Sequence, residues 1–228
     1  RILYVGEDAS VVLRNLIMIN GASVDESGAL LGNSNELTLI NCTLSDSSAG
    51  KNNGGAIYNV GKLTIINSTF ANNVAEVGGA VYNDLAELII INSTFENNIA
   101  NGDSDNHGGG AIFAQRMTSL SIDNSTFIDN DVSGESSGGA IFISFADAEY
   151  TITNSRFIAN HAEGKANTGG GAIYMVGTSN YERKGKLSIS NTLFEENTAD
   201  TCGAAIYARA TTVDVSNSVI FANKDPSG

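Results

Sequence analysis

Residues 54–73 read GGAIYNVGKLTIINSTFANN, and residues 78–98 read GGAVYNDLAELIIINSTFENN. Two near-copies set side by side point to a repeat, and the repeat runs on in both directions. Aligned on one asparagine, it recurs at Asn15, Asn41, Asn67, Asn92, Asn124, Asn154, Asn191 and Asn217. The spacings are 26, 26, 25, 32, 30, 37 and 26 residues. A second marker, GGAI or GGAV, stands at 54–57, 78–81, 109–112, 138–141 and 170–173, with GAAI at 203–206 and a weaker GAL at 28–30. Self-similarity at this period means a solenoid, a propeller or an array.

The pattern inside the unit decides among them. Four residues before each anchor stand Val11, Leu37, Leu63, Leu88, Leu120, Tyr150, Leu187 and Val213. Two residues before it stand Leu13, Leu39, Ile65, Ile90, Ile122, Ile152, Ile189 and Val215. Later repeats place mostly Ser, Thr or Asp between them. Alternation with period 2 is a strand with one buried face. No helical period competes with it. A propeller blade usually needs ~40 residues or more, so these units are too short.

The prediction is an all-β chain: one right-handed parallel β-helix of eight coils, three short strands per coil, forming a single domain over residues 1–228. Coils begin near residues 2, 28, 54, 78, 109, 138, 170 and 203. In the third coil the strands are GGAIY, KLTII and STFAN, with the anchor Asn as the tight turn between the second and third. Asn tolerates the left-handed backbone that such a turn requires. Extra residues fall after the third strand (NGDSDNH, SGESS, EGKANT) or between the first and second (SFADAE, GTSNYERKG), where a solenoid accepts loops. Phe70, Phe95, Phe127, Phe157 and Phe194 follow their Asn by three residues and are expected to stack inside, continued by Leu44, Met18 and Ile220. Gly55, Gly79, Gly110, Gly139 and Gly171 are expected to point inward and leave room for those rings.

Composition narrows the partners. The 228 residues are 42% hydrophobic and only 16% charged, with a net charge of −13. A chain this acidic lacks the basic face that phosphates demand, which excludes nucleic acid and an anionic membrane surface. No apolar run approaches the ~18 residues of a membrane span. The opening RILYVGEDAS lacks the basic-then-apolar plan of a signal peptide. Cys42 and Cys202 lie five to six coils apart and are expected to remain unpaired.

GGA[IV] paired with FxxN resembles the repeats of chlamydial polymorphic outer membrane proteins. FxxN is met by Phe70/Asn73, Phe95/Asn98, Phe127/Asn130, Phe157/Asn160 and Phe194/Asn197. The resemblance implies a secreted or surface-displayed adhesive β-helix. The alternating barrel segments of that family's C-terminal part are missing from this chain.

Candidate sites follow from the alternation. If Ile57 and its equivalents point inward, Tyr58, Tyr82, Phe113, Phe142, Tyr174 and Tyr207 point outward as an aromatic ladder. Exposed, such a ladder suits sugar rings or a partner chain. Ile40, Ile66, Ile91 and Ile89 form a second apolar patch on early coils, which reads as lateral packing. Asp103, Asp105, Asn106 and His107 read as a solvated loop rather than a metal site, and His161 as a loop residue. No recurrent carboxylate pair suggests catalysis: alternation separates Glu195 from Glu196, and Asp129 and Asp131 flank a turn. No catalytic residue, cofactor or metal is expected. Asn41, Asn67, Asn92 and Asn124 each open an Asn-x-Ser/Thr sequon, which a buried Asn ladder would make inaccessible. Neither end has a recognisable cap, so head-to-tail stacking into filaments joins a surface receptor or glycan among the expected partners. The function read from all this is non-enzymatic, extracellular or at the cell surface, structural and adhesive. The alternative is a polysaccharide-binding protein, lyase or hydrolase using the aromatic face.

Overall fold

A computed structural model describes residues 1–104, 107–164, 168–177 and 185–226. Three eight-stranded parallel sheets run its length. The first extends from Leu3–Val5 to Ile206–Arg209, the second from Ser10–Arg14 to Thr212–Ser216, and the third from Ile17–Ile19 to Val219–Phe221. Each strand pairs with its equivalent one coil away, so the repeat seen in sequence is the coil of the β-helix. Among the described residues no helix is long and apolar enough to cross a membrane.

All eight anchor asparagines have φ between 47 and 55° and turn the chain from the second sheet into the third. The alternating aliphatic rows point inward: Leu63, Ile65, Leu88 and Ile90 are fully buried in one continuous core. Phe70, Phe95, Phe127, Phe157 and Phe194 stack through it with ring centroids 4.7–5.0 Å apart. That separation is the strand spacing itself, so each ring lies flat on the next.

The FxxN asparagine has a structural reason. Asn73, Asn98, Asn130, Asn160 and Asn197 are completely buried. The side chain of Asn98 donates to the carbonyl of Phe70 on the preceding coil (3.0 Å) and to Oδ1 of Asn130 on the following one (2.9 Å). Its own Oδ1 accepts from the backbone N and the Nδ2 of Asn73. Both donors and both acceptor sites of the amide are used, so burial carries no desolvation debt. A hydroxyl row directly after the anchor turn works similarly. Ser93 Oγ donates to the Ile91 carbonyl and accepts from the Ser68 backbone N–H.

The three expected sheets are present, the structure adds a further one, and the role expected of the glycines needs correction. A fourth sheet of five two-residue strands runs from Val74–Ala75 to Thr198–Ala199. It also changes the role of the glycines. A Cβ on Gly79 would sit 2.1 Å from the Gly110 carbonyl oxygen and 2.6 Å from the backbone N and O of Ile99, a fourth-sheet residue. Gly55, Gly110, Gly139 and Gly171 meet fourth-sheet backbone in the same way. Glycine here admits a neighbouring backbone and not a phenylalanine ring.

Candidate functional site

The aromatic row forms the expected ladder. Tyr58, Tyr82, Phe113, Phe142, Tyr174 and Tyr207 lie in register along the first sheet, with successive ring centroids 4.7–5.3 Å apart. They form a cluster separate from the main core, as outward parity requires. The expectation of an exposed platform is corrected: Tyr82 is 8% exposed, Phe113 4%, Phe142 1% and Tyr174 2%, while Tyr58 and Tyr207 are intermediate. The rings cover one another's faces, and Val77 packs against them from the segment leading into a glycine block. Isolated parallel bridges join Asn53 to Val77, Gly108 to Ser137 and Gly169 to Cys202, linking these lead-in segments from coil to coil.

The cover opens at the middle coils. A hollow of about 220 Å³ is lined by Asn53, Val77, Tyr82, His107, Phe113 and Gln115. It adjoins a polar groove of about 460 Å³ lined by Ser48, Gly50, Lys51, Glu76, Asn101, Gly102, Asp103 and His107. His107 belongs to both, with Nδ1 3.5 Å from Glu76 Oε1. Gln115 Nε2 donates to the Tyr82 hydroxyl. Burial, followed by the nearby Asp84 carboxylate, pushes that phenol up to about 12. Tyr82 therefore stays a neutral hydrogen-bonding group at any physiological pH. Beside it Asp84 is held by a two-point bond from Arg116, at 3.0 Å from Nε and 2.6 Å from a terminal guanidinium nitrogen.

Other predicted positions are placed as follows. Cys42 is buried, Cys202 is half-buried, and both are free thiols as expected. Ile40, Ile66 and Ile89 are half-buried and Ile91 is 37% exposed. The anchor-Asn ladder is exposed, not buried, so the sequon side chains reach solvent. Asp103 and His107 line the groove, whereas Asp105 and Asn106 lie outside the described residues. Among the described residues no group of three or more His, Cys, Asp or Glu side chains is arranged to hold a metal ion.

One acidic grouping went unread in the sequence. Asp103, Glu135, Glu163 and Asp200 line a common hollow of about 440 Å³. Asp103 and Glu135 each follow their anchor Asn by eleven residues, and Glu163 and Asp200 theirs by nine, a signal available in the alignment. Nearby, burial raises the Asp131 carboxyl, the Glu163 and Asp200 charges raise it further, and His161 opposes them.

Residues 191–209 match the Chlamydia polymorphic membrane protein repeat, a stretch that holds Phe194, Asn197 and GAAI. No curated protein and no solved structure matches the chain significantly. Residues 2–182 match the right handed beta helix region over more than half of the sequence. With three parallel sheets wound from one repeated coil, the chain belongs to the right-handed β-helix family.

Proposed function

We propose that this chain is a non-enzymatic, surface-displayed or secreted adhesive module, a rigid β-helical wall that holds a glycan in the groove of its middle coils. The observation that carries this reading is the groove beside the ladder. Carboxylates, amides and hydroxyls from Ser48, Glu76, Asn101 and Asp103 meet the edges of Tyr82 and Phe113 across His107. Polar groups from the connections between coils, next to aromatic carbon, suit a ring that carries hydroxyls on its rim and C–H groups on its faces. Lys51 is the cation among the groove's charged side chains, and the net charge of −13 disfavours a polyanion. A neutral glycan is the ligand class that remains. The short polymorphic membrane protein match and the surface habit of that repeat support the location. A glycan array probed with the folded chain tests the reading. Binding of neutral oligosaccharides is expected, and a silent array refutes it.

A second reading, end-to-end stacking, rests on the outermost coils. Ile220, which continues the inward phenylalanine row, is 57% exposed on the last coil, Leu3 and Leu13 of the first coil are only half-buried, and the terminal strands of all three long sheets have partners on one side only. A further coil, from the same polypeptide or another copy, would pair those edges. Light scattering over a concentration series is expected to show rods that lengthen with concentration and shorten when Leu3 is replaced by Asp. A strictly monomeric species at high concentration removes this reading and leaves adhesion standing.

A further inference from the structure

The four sequons occupy one structural position. Asn41, Asn67, Asn92 and Asn124 are the anchor turns of coils two to five, each exposed with φ between 47 and 53°. Their side chains form a ladder in which Asn41 donates to Asn15 (3.1 Å), Asn92 to Asn67 (2.7 Å) and Asn124 to Asn92 (3.0 Å). Each of these bonds uses one N–H of an amide that has two. One N–H is left over at each of the donors Asn41, Asn92 and Asn124, whereas Asn67 joins the ladder as acceptor, and all four residues are exposed at the corner between two sheets.

The neighbouring column differs on the same coils. Ile40, Ile66 and Ile91 directly precede the first three sequon asparagines, on the outer face of the second sheet. On the later coils without sequons that column holds Thr153, Ser190 and Ser216. Aliphatic side chains thus occupy the column on three of the four coils that carry a sequon, and coil five has Asp123 instead. A solvated edge has no use for a row of isoleucines, whereas a sugar anchored one residue away would cover it with its C–H face.

We propose that this corner is an N-glycan acceptor stripe, with the first sugar of each chain lying against the isoleucine column. In the transfer, Nδ2 of Asn forms a bond to C1 of a saccharide carried on a polyprenyl pyrophosphate. The C1–O bond breaks, the polyprenyl pyrophosphate leaves, and the amide gives up one proton. No oxidant or reductant takes part; at Asn41, Asn92 and Asn124 the second N–H stays in the asparagine ladder, and Asn67 stays in it through its Oδ1 as acceptor. The proposal shares with the functional reading only the export of the chain. Its readout is mass, whereas that of the groove is ligand binding, so either can fail alone.

The test is secretion of the whole chain from a eukaryotic host, followed by intact-mass and peptide mass spectrometry before and after enzymatic release of N-glycans. Glycans are expected on sequon asparagines and not on Asn154, Asn191 or Asn217. T69A is expected to remove the glycan at Asn67 while keeping that turn. R156T writes a sequon at Asn154 in the same corner geometry and is expected to add one. Soluble, folded chain in which all four sequons and the R156T site stay bare overturns the proposal. Glycans confined to aggregated chain also overturn it, because they show that the corner cannot carry them when folded.

Discussion

Asn98 donates its side-chain amide to Oδ1 of Asn130 at 2.9 Å, and the same oxygen accepts the Asn98 backbone N–H at 3.1 Å. Each FxxN asparagine thus ties its own coil to the next through backbone and side chain at once. Asn98→Ala removes the rung and strands buried partners on both sides, among them the Phe70 carbonyl. A cost of about 1–3 kcal/mol for each group left unpaired is expected. Urea unfolding of the variant checks this, and an unchanged midpoint would mean that the ladder does not contribute to stability.

Phe95 lies between Phe70 and Phe127 with centroids 4.7 and 4.9 Å away, and it is fully buried. Phe95→Ala leaves a ring-sized gap in a stack that cannot close, because the strands above and below are fixed at their hydrogen-bonded spacing. The expected loss is ~3–5 kcal/mol. Thermal unfolding measures it, and the neighbouring Leu88→Ala provides an aliphatic comparison.

Gly79→Ala tests the fourth sheet. A single methyl group would overlap the Gly110 carbonyl and the Ile99 backbone, neither of which can rotate away. The variant is expected to fail to express as a folded chain, or to lose the pairing of Ile99–Ala100 while the long sheets survive. Amide hydrogen exchange at Ile99 and Ala100 separates these outcomes. Wild-type protection at both residues in a stable variant contradicts the packing described.

Asp131 sets a pH dependence. Its carboxyl is raised in the folded chain by burial, which outweighs the opposing His161 charge and is reinforced by Glu163 and Asp200, so the folded state favours the protonated form. An acid raised on folding costs no stability while it is protonated in both states. The cost grows as pH climbs from the ordinary value of 3.8 through the folded value, and persists above it. Asp131→Asn is therefore expected to raise the melting temperature at neutral pH, with the gain vanishing below the ordinary carboxylate range. Paired melting curves from pH 3 to 8 check the sign, and a destabilised variant at neutral pH reverses it.

The coil, its three long strands and the phenylalanine stack were legible because each is written as strict alternation at constant distance from one asparagine. The fourth sheet was not, since strands such as Val74–Ala75 are too short to alternate. Without that sheet the glycine rows acquired the wrong neighbour: sequence shows that Gly79 needs space but not that backbone fills it. Outward parity of Tyr82 and Phe113 was correctly readable, yet their burial depends on lead-in segments that cross outside the coil, which alternation within a strand does not encode. The groove escaped for the same reason, because Lys51, Glu76 and His107 come from different coils and irregular connections.

The central claim is that the groove on the middle coils holds a neutral glycan, and isothermal titration with the strongest glycan from an array tests it most directly. Wild type is compared with the double variant Glu76→Gln/His107→Ala and with Thr151→Ala, an exposed change on the second sheet. The account predicts saturable binding to wild type and Thr151→Ala, and loss of at least tenfold in affinity, about 1.4 kcal/mol, in the groove variant at unchanged melting temperature. Equal affinity for all three proteins would contradict it.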